Sequence, residues 1–238
     1  MDANQQHKVY DASIEIGSDS LAKNFMSNVF SWMAVGLIVT ACVSWYGYSS
    51  GLYLSLMMQG RIMPWVIMLS PFAFIIAMNV GLNKFSSSTL VLLFVLFSAT
   101  MGVSLSSVFI MYSMGSIAQV FGITAGTFTI MAVLGYTTSM DLTKLGSLLF
   151  MGLIGIILAS VVNIFMQSGT MDFIISIIGV LIFTGLIAYD TQRIKRIGAG
   201  VEYGSESATK LAILAATSLY LDFINLFLFL LRLLGRRS

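Results

Sequence analysis

Two aspartates set in apolar surroundings, Asp190 and Asp222, carry most of the chemistry open to this chain. Asp222 lies in S-L-Y-L-D-F-I-N-L-F-L-F-L-L-R, from Ser218 to Arg232. At about 100° per residue, Ser218, Asp222, Asn225, Phe229 and Arg232 share one narrow stripe of a helix, and Leu, Ile and Phe cover the rest. An isolated carboxylate near the middle of a bilayer costs about 3 kcal/mol on insertion scales, so it normally faces a bundle interior and has a partner. Asp190 sits in I-A-Y-D-T-Q-R-I-K-R, one turn before a basic cluster of Arg193, Lys195 and Arg196.

Two carboxyls in hydrogen-bond contact cannot both ionise cheaply, so they share a proton and titrate as one unit. Losing that proton exchanges a hydrogen bond for like-charge repulsion, which would push two helices apart and could gate a cation path. The pair Asp190 and Asp222 is also a candidate calcium site, since calcium takes carboxylate oxygens. A plainer reading stays open: Asp190 as a solvated helix-end residue paired with Arg193, and Asp222 as a structural anchor bonded to Asn225, Ser218 or Tyr189. From the apolar boundaries Asp222 lies some 10 Å deeper than Asp190, so helix tilt or an early start of the last helix must bring them together.

Other chemistries lack their residues. His7 is the single histidine, in the polar N-terminal stretch, and Cys42 the single cysteine, within an apolar run, so histidine metal sets, thiolate clusters and intrachain disulfides are excluded. No Lys lies within the last span to hold a retinal, Lys210 being at its mouth. The two aspartate motifs lack the glycine-rich surroundings of an aspartyl intramembrane protease. No enzymatic activity, no cofactor and no nucleic-acid partner are expected; the partners are the lipid bilayer and calcium or protons.

The elements that must position these residues are membrane helices. The chain has 238 residues, 58% apolar and 9% charged, with mean hydropathy +0.93, too apolar for a soluble domain of this length. Seven apolar runs, at roughly 25–48, 62–82, 88–112, 116–137, 145–167, 173–192 and 209–233, each exceed what about 30 Å of hydrocarbon requires. Residues 1–24 form a polar N-terminal tail, expected to be mobile, with Ser18, Asp19 or Ser20 as cap for the first helix. Residues 25–238 form one seven-helix transmembrane domain. No removable signal peptide is expected.

The connection Arg193–Thr209, with Gly198, Gly200 and Gly204, reads as a flexible aqueous loop. Pro64 fits the first turn of the second helix, whereas Pro71 falls inside it and should kink it or free a carbonyl that neighbours must satisfy. Gly122 and Gly126, and Gly152, Gly155 and Ala159, read as small faces for close helix packing. The sixteen methionines are scattered gap fillers. With the N-terminus cytoplasmic, that side holds Lys8, Lys23, Lys84, Lys144, Arg193, Lys195, Arg196 and Lys210, against Arg61, Arg232, Arg236 and Arg237 opposite. This favours N-inside. The last helix then crosses, with a basic tail outside, or is re-entrant.

Five fragments in order carry a resemblance to a known family. They are F-M-S-N-V-F-S-W-M-A-V-G-L-I-V-T from Phe25, G-V-S-L-S-S-V-F-I-M-Y from Gly102, G-Y-T-T-S-M-D-L-T-K-L-G from Gly135, A-Y-D-T-Q around Asp190 and Y-L-D-F-I-N-L-F around Asp222. The chain from about Phe25 resembles the Bax inhibitor-1 family, also called transmembrane BAX inhibitor motif proteins, and its bacterial branch in particular. The resemblance implies an all-α integral membrane protein with seven transmembrane helices, two three-helix layers around a central C-terminal helix. It implies a pH-sensitive calcium leak gated by Asp190 and Asp222, in a multipass protein of the bacterial inner membrane. It also implies an ion pair at Arg232, for which the second run, uncharged between Arg61 and Lys84, offers no acid. The alternative is a regulatory binding protein that modulates a membrane protease or a stress or cell-death pathway through its tail and loops.

Overall fold

The computed structural model describes residues 20–202 and 204–236, together with the helical backbone of residues 3–19. The long helices are α1 (Ala3–Ser49), α3 (Met63–Gly81), α4 (Ser87–Met111), α5 (Met114–Thr137), α6 (Thr143–Met166), α7 (Gly169–Ala199) and α8 (Glu206–Leu234), with one short helix, α2 (Leu52–Met57), after α1. Seven of them are long and apolar enough to cross a membrane. The apolar runs of the sequence mark these helices to within a few residues, except at α1 and α7.

Helix α8 occupies the centre. It packs against α1 and α4 on one side and α5 and α7 on the other, while α3 reaches the bundle through α4 and α6 through α7. This gives two three-helix layers, α1–α3–α4 and α5–α6–α7, around the C-terminal helix. Ala212, Ala216, Leu219, Tyr220, Leu226 and Leu231 are all essentially inaccessible, as expected of a helix buried on every face. The crossing question is answered by geometry. Helix α8 is about 44 Å long at 1.5 Å per residue, and just beyond its end the Arg236 amide donates to Ser116 Oγ (2.9 Å) and its carbonyl accepts from the Ser113 amide (3.2 Å). Those serines start α5, at the end of the bundle opposite the α7–α8 connection, so α8 runs from one end of the bundle to the other, the arrangement of a crossing helix and not of a re-entrant one.

Three expectations are corrected. Residues 193–199 are helical, not loop, because their polar side chains all find partners on the helix flank; the connection shrinks to residues 200–205. No helix starts at Ser18, Asp19 or Ser20, since α1 runs through them. The side chains of residues 1–19, His7 among them, lie outside the described residues. Gly122 and Gly126 face outward with nothing near them, because α5 buries the stripe Ser116, Val120, Thr124, Phe128 and Ala132, two residues out of phase. On α6, Gly152 packs under Ile182, but Gly155 meets nothing.

The close glycine contacts fall elsewhere. A Cβ on Gly135 would strike the Ala188 backbone, and one on Gly146 the ring of Tyr189, so α5 and α6 both approach α7 closely at the two residues preceding Asp190. Pro64 sits at the start of α3 and Pro71 inside it. The carbonyl that Pro71 leaves without its helical donor is that of Ile67. It accepts from Ser104 Oγ of α4 at 2.9 Å and from Ser70 Oγ at 3.1 Å, so a neighbouring helix supplies the missing donor.

These contacts separate two outwardly similar substitutions. Gly135→Ala must push α5 off α7 and should cost about 2–3 kcal/mol, whereas Gly126→Ala should stay within about 0.5 kcal/mol. Thermal unfolding in detergent measures both.

Candidate functional site

The two carboxyls meet at the contact of α7 and α8. Asp190 is 3% exposed and Asp222 6%, and their side chains face one another within range of direct charge and hydrogen-bond interaction. Helix α7 continues beyond residue 192, which sets Asp190 about two and a half turns inside the helix end. Ser218 Oγ, one turn before Asp222, donates to Asp190 Oδ2 at 2.6 Å. Among the described residues Asp190 Oδ1 and Asp222 Oδ2 are buried without a hydrogen-bond donor. A proton shared between the carboxyls would supply the missing donor.

The plainer alternatives fit less well. Arg193 stands 3.9 Å from Asp190 Oδ1 with its side chain 56% exposed, a distance and exposure at which an ion pair contributes less than about 1 kcal/mol. Ser218 is bonded to Asp190, the Asn225 amide donates to the Leu221 carbonyl of its own helix, and Tyr189 packs on Phe150. None of the three supplies Asp222 with a donor. As a calcium site the pair is sparse. No group of three or more His, Cys, Asp or Glu side chains gathers among the described residues, and two carboxyls fall short of the six to eight oxygens of a resident calcium.

The basic residues following Asp190 do not act as one cluster. Lys195 Nζ donates to the Tyr136 carbonyl at 3.1 Å and lies over that ring. Arg196 donates to Asp141 Oδ1 at 2.7 Å, to Thr143 Oγ1 at 3.1 Å and to Gln192 Oε1 at 2.9 Å. Gln192, 6% exposed, spans the same loop: its amide donates to the Met140 carbonyl at 2.7 Å and its oxygen accepts the Leu142 amide at 2.9 Å. The α5–α6 loop is thus latched to α7 directly beyond Asp190. The Thr143 hydroxyl, the Arg196 guanidinium and the Thr143 amide hold the Asp141 carboxyl well below the usual carboxylate range.

The remainder of the α8 stripe serves other ends. Phe229 stacks on Phe183 over Gly179, and Arg232 pairs with Asp172 of α7 at 3.5 Å, an acid outside the second run. Gln192 escaped the sequence reading, although the Y-D-T-Q fragment contains it. So did a buried polar node beside Asp222: Tyr220 Oη and Thr40 Oγ1 are 2.7 Å apart, and the Thr40 hydroxyl lies 2.9 Å from the Ser98 carbonyl. The only signal for this node was a tyrosine in the middle of an apolar run.

Comparison with known proteins finds a match between residues 22–238 and the family described as inhibitor of apoptosis-promoting Bax1. An uncharacterized protein of Borreliella burgdorferi is 47% identical over 218 residues, covering 91% of this chain and 94% of the relative. The inner membrane protein YbhL of Escherichia coli K12 is 43% identical over 216 residues, covering 90% and 92%. The uncharacterized protein RP147 of Rickettsia prowazekii is 39% identical over 219 residues, covering 92% of each.

The latch generates two expected outcomes. Gln192→Ala removes the acceptor of the Leu142 amide and should speed its hydrogen exchange about fivefold, the equivalent of roughly 1 kcal/mol. Because the Asp141 carboxyl is depressed, its contribution is full above the ordinary carboxylate value of about 4 and fades only as pH falls through its lowered one. The Thr143 amide resonance should therefore hold constant from neutral pH down to about 4 and move only below that.

Proposed function

This chain belongs to the Bax inhibitor-1 family, and we propose that it forms a pH-sensitive leak for calcium, or a proton-coupled cation, gated by the Asp190–Asp222 pair. The observation that carries the reading is two buried carboxyls facing each other across the contact of α7 and α8, each with an oxygen lacking a donor. With a shared proton the pair binds the two helices together. Without it the two like charges repel; unit charges at about 4 Å and an effective dielectric near 20 repel by about 4 kcal/mol, more than the remaining Ser218 hydrogen bond, at about 1.5–3 kcal/mol, restores.

The sparse oxygen set suits an ion in passage. An ion held permanently would need more ligands than two carboxyls and a hydroxyl provide. We place the chain in the inner membrane, as the name of the Escherichia coli relative says of that protein, with the N-terminus cytoplasmic, the side that the Lys and Arg distribution favours. The regulatory alternative draws on the tail and loops; among the described residues no observation favours it over the carboxyl pair.

In liposomes holding the full chain and a calcium dye, flux should vary with pH between about 6 and 8. Asp222→Asn and Asp190→Asn, which cannot ionise, should each give flux that is flat over that range. Equal pH dependence in parent and both variants would sink the gate, and absence of calcium flux in every protein would sink the leak.

A further inference from the structure

A groove of about 440 Å³ opens on the flank of the bundle between α1 and α5, in the size range of ligand-binding cavities, about 300–1,000 Å³. It exists because α1 packs on α4, α7 and α8 and barely touches α5. Phe30 and Phe128, edge to face at 6.3 Å, and Ala132 form apolar walls, with Thr129 on the rim. One end differs in character. Lys23 lines the groove there, together with Tyr136, whose ring carries Lys195 Nζ at 4.5 Å from its centroid. Among the described residues neither lysine has a carboxylate within ion-pair distance; the pairs formed are Arg193–Asp190, Arg196–Asp141, Lys210–Glu206 and Arg232–Asp172.

An apolar slot whose end is lined by Lys23, with Lys195 held next to it over the Tyr136 ring, set in the membrane-spanning part of α1 and α5, fits a ligand with an apolar tail and a negative head. We propose that this groove binds an anionic phospholipid, one acyl chain lying against Phe30, Phe128 and Ala132 and the phosphate-bearing headgroup between Lys23 and Lys195. A free phosphate would leave the slot unfilled. An extended peptide would bring backbone amides and carbonyls against walls that offer them no partners. The site lies at the same end of the bundle as the α5–α6 loop, which Lys195 also holds.

Native mass spectrometry of the full chain in detergent, offered equal amounts of phosphatidylglycerol and phosphatidylethanolamine, tests this. The parent should retain phosphatidylglycerol preferentially, and Lys23→Gln should lower that preference about fivefold, as expected for one lysine near an anionic headgroup. Thr129→Trp, at an exposed position, should fill the slot and reduce retention of both lipids. Equal retention of the two lipids by the parent would overturn the proposal, as would parent-like behaviour of both variants. Inorganic phosphate that displaces the lipid as effectively as added phosphatidylglycerol would overturn the role of the chain.

Discussion

A carboxyl group buried in a membrane-spanning bundle has to find its hydrogen-bond partner inside the protein, because neither lipid nor bulk water can offer one. Asp222 imposes that requirement on the whole architecture. It places α8 at the centre, where a helix apolar on nearly every face is covered by four others. It places α7 alongside, with Asp190 as the group that Asp222 meets. The Ser218 hydroxyl donates to one oxygen of Asp190, and what remains is a pair of buried acids, each with an oxygen that finds no donor among the described residues.

The helices that surround this pair are set by backbone proximity as much as by side-chain burial. Gly135 and Gly146 bring α5 and α6 against α7 at Ala188 and Tyr189, the two residues preceding Asp190. Toward the other end, Gly179 receives Phe229 of α8, which stacks on Phe183. The α7–α8 contact is therefore closely packed on the far side of the acids and polar at the acids themselves. Separation driven by charge would begin at the polar end.

That end is tied in a second way. Gln192, Lys195 and Arg196 hold the α5–α6 loop from Tyr136 to Thr143, through backbone carbonyls and an amide as well as the Asp141 carboxylate. Glu206 joins in from α8: its carboxylate pairs with Lys210 at 3.1 Å and accepts the Ser87 amide at the start of α4 at 3.2 Å. A movement of α7 relative to α8 would be felt in the α5–α6 loop through the bonds of Gln192, Lys195 and Arg196, whereas α1 and α4 are joined to α8 through Thr40, Ser98 and Tyr220.

Hydropathy and helical periodicity in the sequence were sufficient for the seven spans, for the inward-facing Asp222 and for the freed carbonyl below Pro71, because each is a local consequence of residue type in an apolar medium. The two-layer arrangement was legible through the resemblance of five ordered fragments. The ends of α1 and α7 were misread, since polar side chains there look like loop until their partners are known. The Gly122 and Gly126 face was misplaced because small residues show that close packing is possible without saying which face has a neighbour. Tertiary structure brought together Asp190 and Asp222, which the resemblance had paired, and it alone decided that Arg232 pairs with Asp172 and that Gln192 holds a loop. Each joins groups dozens of residues apart along the chain, and their encounter depends on how far each helix extends and which of its faces is turned inward.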